Sequence, residues 1–500
     1  MSLSTAYNII SSAFVANAAQ SSVIANNIAN ANTTGYNRQV ANLAANAYGG
    51  VDVLSVTREA NSALLEQVNA STSQAAAQQA LSNGLTTLAG TVSDSTSSTT
   101  SSGATVNGDS PAAMLENLQS ALTTYESTPS STSAGQAVVA AATDLAQSLN
   151  TGSQAVQQVR EQADSDMASS VSTVNSLLNQ FATADAAVVT GTASGSNVTA
   201  AEGTRDSILT QLSQQLGIST TSNPNGSISI YTDSGVNLYQ SNTVSELSFT
   251  ASPTLTDGQS GNSVTVAGVA ITGPSAPMAI QSGALAGYST LRDTVAPEYG
   301  AQLDQIANGV IDAFAETDQS TTTTGLPSLP GLFTTAGATS LPSSATGLAS
   351  QIEVNSAVDP SQGGDVSLLQ NGGINGSNYV YNTTGEAGYT GRIQDMVSAI
   401  TATQSFSSSA GLGTSDTLSS YADSSVSWLQ GQNQQASNAV DYQNSLVTQA
   451  TAALSNATGV SLDTEMTNML SIENTYTTTA KLLTTVDDMF NALLAATSGH

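Results

Sequence analysis

Residues 3–31, LSTAYNIISSAFVANAAQSSVIANNIANA, are the stretch from which the fold can be read. Leu3, Tyr7, Ile10, Phe14, Asn17, Ser21, Ile24 and Ile28 recur at alternating spacings of four and three. That is the heptad stripe of a helix that packs along its whole length. Asn17 and Ser21 interrupt the stripe. The other faces carry Ala, Ser and Asn, and residues 1–37 hold no charge of either sign. An amphipathic helix in an ordinary domain core accounts for the stripe equally well. The missing charge shifts the balance. A solvated coiled-coil flank normally carries Glu and Lys, so a neutral flank suits a helix surrounded by other helices. The helix should stop near Ala31. Asn32-Thr33-Thr34-Gly35 has Asn first and Gly last, as a type I turn prefers. Asn30, Asn32, Gly35, Tyr36 and Arg38 make a compact signature there, and Arg38 is the first charge of the chain.

The other end repeats the pattern. Leu462, Met466, Met469, Glu473, Tyr476, Ala480, Leu483, Asp487, Phe490 and Leu494 follow the same spacing, and Leu482, Val486, Met489 and Leu493 form a stripe beside it. Gly459 is placed as the C′ residue of a preceding helix. Ser461 is placed as an N-cap, with Asp463 and Glu465 near the positive helix end. Before the break, Ala422, Val426, Leu429, Asn433, Ala436, Val440, Gln443, Val447, Ala450 and Leu454 extend the heptads. Two long helices with one break therefore close the chain. An amphipathic helix at each end predicts that the ends meet, with the middle inserted between the two halves of one rod. The fold class is mainly α with a smaller β part: a discontinuous multi-domain rod whose N- and C-terminal helices pair as a coiled-coil-like stalk.

Composition limits what such a rod can do. Seven Lys and Arg stand against 36 Asp and Glu over 500 residues, a net charge of −29. A nucleic-acid groove or an anionic membrane surface needs far more cations. There is no cysteine, and His500 is the sole histidine. Cys/His zinc sites, disulfides and thiol or Ser-His chemistry are excluded. No apolar run approaches the roughly 18 residues of a membrane span, and no basic n-region marks a secretory signal.

The middle alternates. Residues 64–93 and 111–190 are helical in pattern, separated by a Ser/Thr/Gly loop at 94–110. Helix resumes around Arg205 and ends at Gly217. Residues 227–231 and 236–239 read as a hairpin, and 244–280 as further short strands. Residues 298–316 are helical, with Leu303, Ile306, Val310 and Phe314 on one face. Residues 320–392 have the weakest core signal.

No enzyme constellation is visible. The pairs Asp487/Asp488 and Asp164/Asp166 suit solvated helix faces better than acid–base work. Gly363-Gly364-Asp365 lacks the ligand repeat of a calcium loop. No nucleophile elbow, P-loop or dinucleotide fingerprint occurs. Trp428 is expected to pack. No cofactor and no metal are expected.

Residues 25–39, ANNIANANTTGYNRQ, resemble the N-terminal signature of bacterial flagellar axial proteins. Residues 459–466, GVSLDTEM, continuing through Tyr476 and Ala480 to Leu494, resemble their C-terminal one. Rod, hook and hook-associated proteins share these ends. The interior is similar to the hook-associated protein 1 family. It carries Arg205-Asp206-Ser207-Ile208-Leu209 with Leu212, Leu216 and Gly217, then Gly283-Ala284-Leu285-Ala286-Gly287 leading to Leu291-Arg292-Asp293 and Pro297-Glu298-Tyr299. Ile352-Glu353-Val354-Asn355 with Asp359-Pro360 also fits. The chain departs from the family at Glu316-Thr317-Asp318, where Asn and His are usual. It also departs in the short 320–392 segment, where many members carry a large outer β-domain.

The resemblance implies a structural protein, not an enzyme. It would sit extracellularly in the flagellum, between hook and filament, after export without a cleaved signal peptide. Its implied partners are identical subunits in a ring, the hook protein, a second hook–filament junction protein, and an export chaperone near the C-terminus. Nucleic acid and membrane are not among them. On this basis the chain divides into four parts. Residues 1–60 with 455–500 form a terminal assembly domain, and 61–222 with 281–319 and 393–454 a helical bundle. Residues 223–280 are hairpin-rich, and 320–392 form a reduced outer segment. The expected assembly surfaces are Leu3, Tyr7, Ile10, Phe14, Ile24 and Ile28 on the first helix. On the last they are Leu462, Met466, Met469, Tyr476, Leu483, Val486, Phe490 and Leu494. Stripes so often interrupted predict termini that are mobile in the monomer and fold when copies join. Hook or distal rod protein is the nearest alternative. A Ser/Thr-rich adhesin or a polysaccharide-active enzyme is more remote, for want of convergent polar groups.

Overall fold

The computed structural model describes residues 2–33, 35–93, 108–320 and 325–498. Thr34 of the expected turn, residues 94–107 of the expected loop, and His500 lie outside them.

The first helix, α1 (Leu3–Ala29), starts on Ser2, whose hydroxyl accepts the Thr5 N–H at 3.2 Å. A short oxygen side chain caps a helix in this way. A hairpin follows, β1 (Gln39–Ala45) and β2 (Val51–Arg58), paired antiparallel with a bulge between Asn42 and Leu43. It lies along α1, with the Val51 N–H donating to the Ser12 hydroxyl at 3.0 Å. The sequence reading holds no strand here. Three of the seven β1 positions are Ala, which blurs the alternation that marks a strand.

Next come α2 (Ser62–Ala89), α3 (Pro111–Ser127) and α4 (Thr132–Ser194). The stretch expected as one helix over 111–190 is thus two. Pro129 cannot continue α3, and the Ser131 hydroxyl caps α4 by accepting the Ala134 N–H at 3.3 Å. With 63 residues, α4 spans about 95 Å. Its first half is lodged in one apolar cluster with α3, and its second half in another with α5 (Thr199–Gln215).

The second cluster is roofed by two small antiparallel sheets. One is ordered β3 (Ile218–Ser222), β4 (Ile228–Thr232), β5 (Asn237–Gln240), β6 (Thr243–Val244). The other is β7 (Leu247–Ser248), β8 (Thr265–Val266), β9 (Val269–Ala270). The helix α6 (Ala284–Thr290) leads through one π turn at Leu291–Val295 into α7 (Ala296–Ala313). Leu303, Ile306, Val310 and Phe314 are all buried in the first cluster, as their shared face predicts.

Beyond α7 lie β10 (Phe333–Thr335) paired with β11 (Ile352–Val354), then α8 (Leu368–Asn371) and α9 (Gly391–Thr401). The pair β12 (Thr403–Ser405) and β13 (Ser415–Thr417) precedes α10 (Leu418–Thr458) and α11 (Leu462–Ser498). The weak core signal expected over 320–392 is corrected. Leu332, Phe333, Leu348, Ile352, Val358 and Leu369 are buried in the same cluster as α3, α4 and α7. They stand singly between turns, so no period announces them. The Glu316 departure also has a use. Its buried carboxylate accepts the N–H groups of Ile374 and Asn375 at 3.1 and 2.9 Å, tying this segment to the end of α7.

Each arginine is fastened at a joint between elements. Arg58 pairs with Glu202 and Asp206 of α5. Arg205 pairs with Asp185 of α4 at 2.9 Å. Arg292, in the π turn, pairs with Asp164 and Asp293. Arg160 donates to the carbonyls of Arg292, Thr256 and Gln259. Arg392 donates to those of Phe314 and Ala315. Asp164, expected to be solvated, is therefore buried. A charge taken out of water persists only with a partner, and Arg292 supplies it. Such pairs add little net stability, because the cost of desolvation offsets their attraction.

Candidate functional site

The two ends of the chain lie together, as their patterns predict. The helices α2 and α10 run antiparallel, with the Thr86 hydroxyl donating to Asn433 at 3.2 Å. Along α10 the expected stripe is the less exposed one. Ala422, Leu429, Ala436 and Ala450 are buried, and Val426, Val440, Val447 and Leu454 are half-buried. Trp428 is half-buried and packs on the main core.

At the corner between α10 and α11, Gly459 is not left-handed, as a C′ glycine would be. It is extended, with φ −76° and ψ 175°. What the site needs is the absent side chain, because a Cβ would run into the Ser455 carbonyl. Ser461 does cap α11, accepting the Thr464 N–H at 3.4 Å.

The signature residues converge on this corner. The Tyr36 N–H donates to the Thr33 carbonyl at 3.1 Å, so the turn closes one residue later than expected. Gly35 is then its third residue, with φ +79°. Left-handed backbone at that place is what a type II turn asks of glycine. The turn delivers Tyr36 and Arg38 to Asn27, one turn from the end of α1. The Asn27 amide nitrogen donates to the Gln39 carbonyl at 2.9 Å and to Glu465 Oε2 at 3.2 Å. Its oxygen accepts the Tyr36 hydroxyl and the Gln39 N–H, both at 2.9 Å. All four hydrogen-bonding positions of the amide are therefore used.

Arg38 Nε donates to Glu465 Oε1 at 2.6 Å, and the Glu465 side chain is fully buried. The backbone of Arg38 is held as well. Its N–H donates to Thr458 at 2.8 Å, and its carbonyl accepts the Glu59 N–H at 2.8 Å. Burial first, and then the Glu465 carboxylate, push the Tyr36 phenol above its ordinary range. One polar node thus ties the end of α1, the root of the hairpin and the start of α11. The sequence reading quoted Asn27 within a motif and placed Glu465 near the positive end of the last helix, without joining the two. The signal that could have found the pair is the first cation, Arg38, set against the two acids that open α11, Asp463 and Glu465.

From this node α11 runs antiparallel to α1. Ser21 meets Met469 at 3.8 Å, and Phe14 meets Tyr476 edge to face at 5.0 Å. On α1, Ile10 and Ile24 are buried, Leu3 and Phe14 half-buried, Tyr7 and Ile28 exposed. Asn30 is half-buried; Asn32 and Gly35 are exposed. On α11, Val486 is buried, Leu483 and Phe490 are half-buried, and Leu462, Met466, Met469, Tyr476 and Leu494 are exposed. The inward line of α11 passes instead through Glu465, Asn468, Ile472, Thr479 and Val486. Asn468 and Thr479 hide it from an apolar pattern. The paired ends therefore keep a broad apolar surface on the outside.

Among the described residues, no cluster of three or more His, Cys, Asp or Glu is gathered as a metal site requires. No described helix is long and apolar enough to cross a membrane.

The chain matches three family descriptions in order along its length. Residues 8–37 match the flagella basal body rod protein. Residues 107–326 match the helical domain of the flagellar hook-associated protein FlgK. Residues 453–496 match the C-terminal part of the flagellar basal body rod FlgEFG proteins. Among solved structures, the flagellar hook junction protein FlgK from Burkholderia pseudomallei aligns at 22% identity and a TM-score of 0.42, over 54% of this chain and 47% of that one. The alignment thus spans about half of that protein's length. No curated protein matches. Its two ends match flagellar axial families and its central helices match the FlgK helical domain, in this order, and together these matches support a FlgK-like hook-associated protein.

Proposed function

We propose that this protein is the adaptor between the flagellar hook and the filament, built as a ring of identical subunits. The observation that carries the reading is the outer surface of the terminal helix pair. Met466, Leu470, Leu482, Met489, Leu493 and Leu494 are exposed on a single helix. Large apolar side chains exposed in this number on one helix mark a protein–protein interface. Copies packed side by side would bury these side chains. The terminal pair would complete its burial only in the assembly. The body of α3–α9 would project from that shaft, and its work is structural rather than catalytic. Passage out of the cell through the flagellar export channel, with a chaperone near the C-terminus and contacts to the hook protein and a second junction protein, completes the reading.

Deleting the gene tests it. Cells with intact hooks and shed filaments are the expected outcome. Cells without hooks would assign the chain to the hook or distal rod instead.

A further inference from the structure

The seven cations of this chain are unevenly placed. Six are arginines clasped at joints. The seventh, Lys481, is exposed on α11, and no ion pair reaches it among the described residues. Thr479 and Val486 are buried on the side of α11 that meets α1. Two residues on from Thr479, Lys481 is turned about 200° around the helix. It therefore stands on the outer face of the shaft, where Leu470 is also exposed.

Asp488 lies seven residues further along and is exposed too. Seven residues are two turns, about 10.5 Å, so Lys481 and Asp488 share the outer face but cannot reach each other within one helix. A neighbour displaced along the shaft by one heptad would place its Asp488 opposite this Lys481. The same displacement keeps the apolar heptad positions in register.

We propose that a second copy of this chain docks on the outer face of α11 with a stagger of one heptad, so that the ring is a helical turn rather than a flat circle, its Asp488 carboxylate meeting the Lys481 ammonium. The proposal rests on the assembly reading above. It adds the register between copies and the charged contact that sets it. In a chain of net charge −29, copies repel through most of their surface, and an opposed charge at the contact selects partner and register.

The chain has a single lysine, which makes the test specific. Carbodiimide joins an amine to a carboxylate, so apart from an α-amino group every link must pass through Lys481. Assembled protein, prepared from a mixture of isotopically light and heavy copies, should yield a light–heavy link between Lys481 and the peptide bearing Asp487 and Asp488. Lys481→Asp and Asp488→Lys should each weaken association about tenfold while leaving helicity unchanged, and the double variant should restore it. Assembled wild-type protein with no such link, or with Lys481 linked elsewhere, overturns the stagger. So does a Lys481→Asp protein that associates like wild type. A protein that remains monomeric at every concentration instead removes the assembly reading, and the proposal with it.

Discussion

Arg38 Nε lies 2.6 Å from the fully buried Glu465 carboxylate, across 427 residues of chain. Removing one member of a buried pair strands the other. Glu465→Ala should cost about 3 kcal/mol, at the lower end of the buried range because Arg38 keeps some solvent. Hydrogen exchange in the first turns of α11 and the last of α1 should accelerate together. A double-mutant cycle with Arg38→Ala should return a coupling of about 1–2 kcal/mol. A coupling near zero would mean that the pair does not hold the corner.

Gly35 separates backbone from packing. It adopts φ +79°, and an added Cβ would meet nothing within 4 Å. Gly35→Val should therefore cost about 1–2 kcal/mol through backbone strain alone. Gly35→Asn should cost clearly less, because Asn tolerates the left-handed region. Swimming in soft agar should rank wild type, Asn and Val in that order. Equal motility for all three would show that the turn does not govern assembly.

Asp304 gives the body a pH signature. Burial raises its pKa to about 6, against the N–H bonds of Ala349 and Gly347 that favour the charged form. With the folded pKa above the unfolded one, its stabilising contribution is complete below about pH 4. It is lost as the pH rises through 6. Relative to Asp304→Asn, wild type should gain roughly 2–3 kcal/mol between pH 7 and pH 4. Urea midpoints of the two proteins across that range measure the difference. A constant gap would refute it.

The net charge of −29 predicts colloidal behaviour. At pH 7 exposed carboxylates keep the bodies of separate molecules apart. Near about pH 4 these groups protonate, and turbidity should rise steeply. Clear solutions throughout would contradict this.

What the sequence made legible was whatever repeats. The heptads of α1, α10 and α11 and the shared face of α7 have a period, and a period survives without any knowledge of neighbours. The hairpin at 39–58 was hidden because Ala alternates with almost anything. The packing of 332–369 was hidden because isolated apolar residues between turns reveal burial only once the partner helix is in place. Asn27 and Glu465 were quoted within motifs, yet their meeting depends on two ends of the chain coming together. The inward line of α11 was hidden for a related reason. Asn468 and Thr479 take part in a seam that apolar pattern alone cannot trace.

The clasped arginines have a consequence for proteolysis. Trypsin cuts only after Lys and Arg, and a protease needs several residues of chain to loosen around the bond it cleaves. Five of the six arginines have nearly inaccessible side chains or are wedged against carbonyls, and Arg38 is pinned to Glu465. Free protein should therefore be nicked first after Lys481, in the last helix, and otherwise stay whole. A neighbour seated on that lysine would protect even this bond, so one gel lane of trypsin-treated material would distinguish solitary molecules from joined ones.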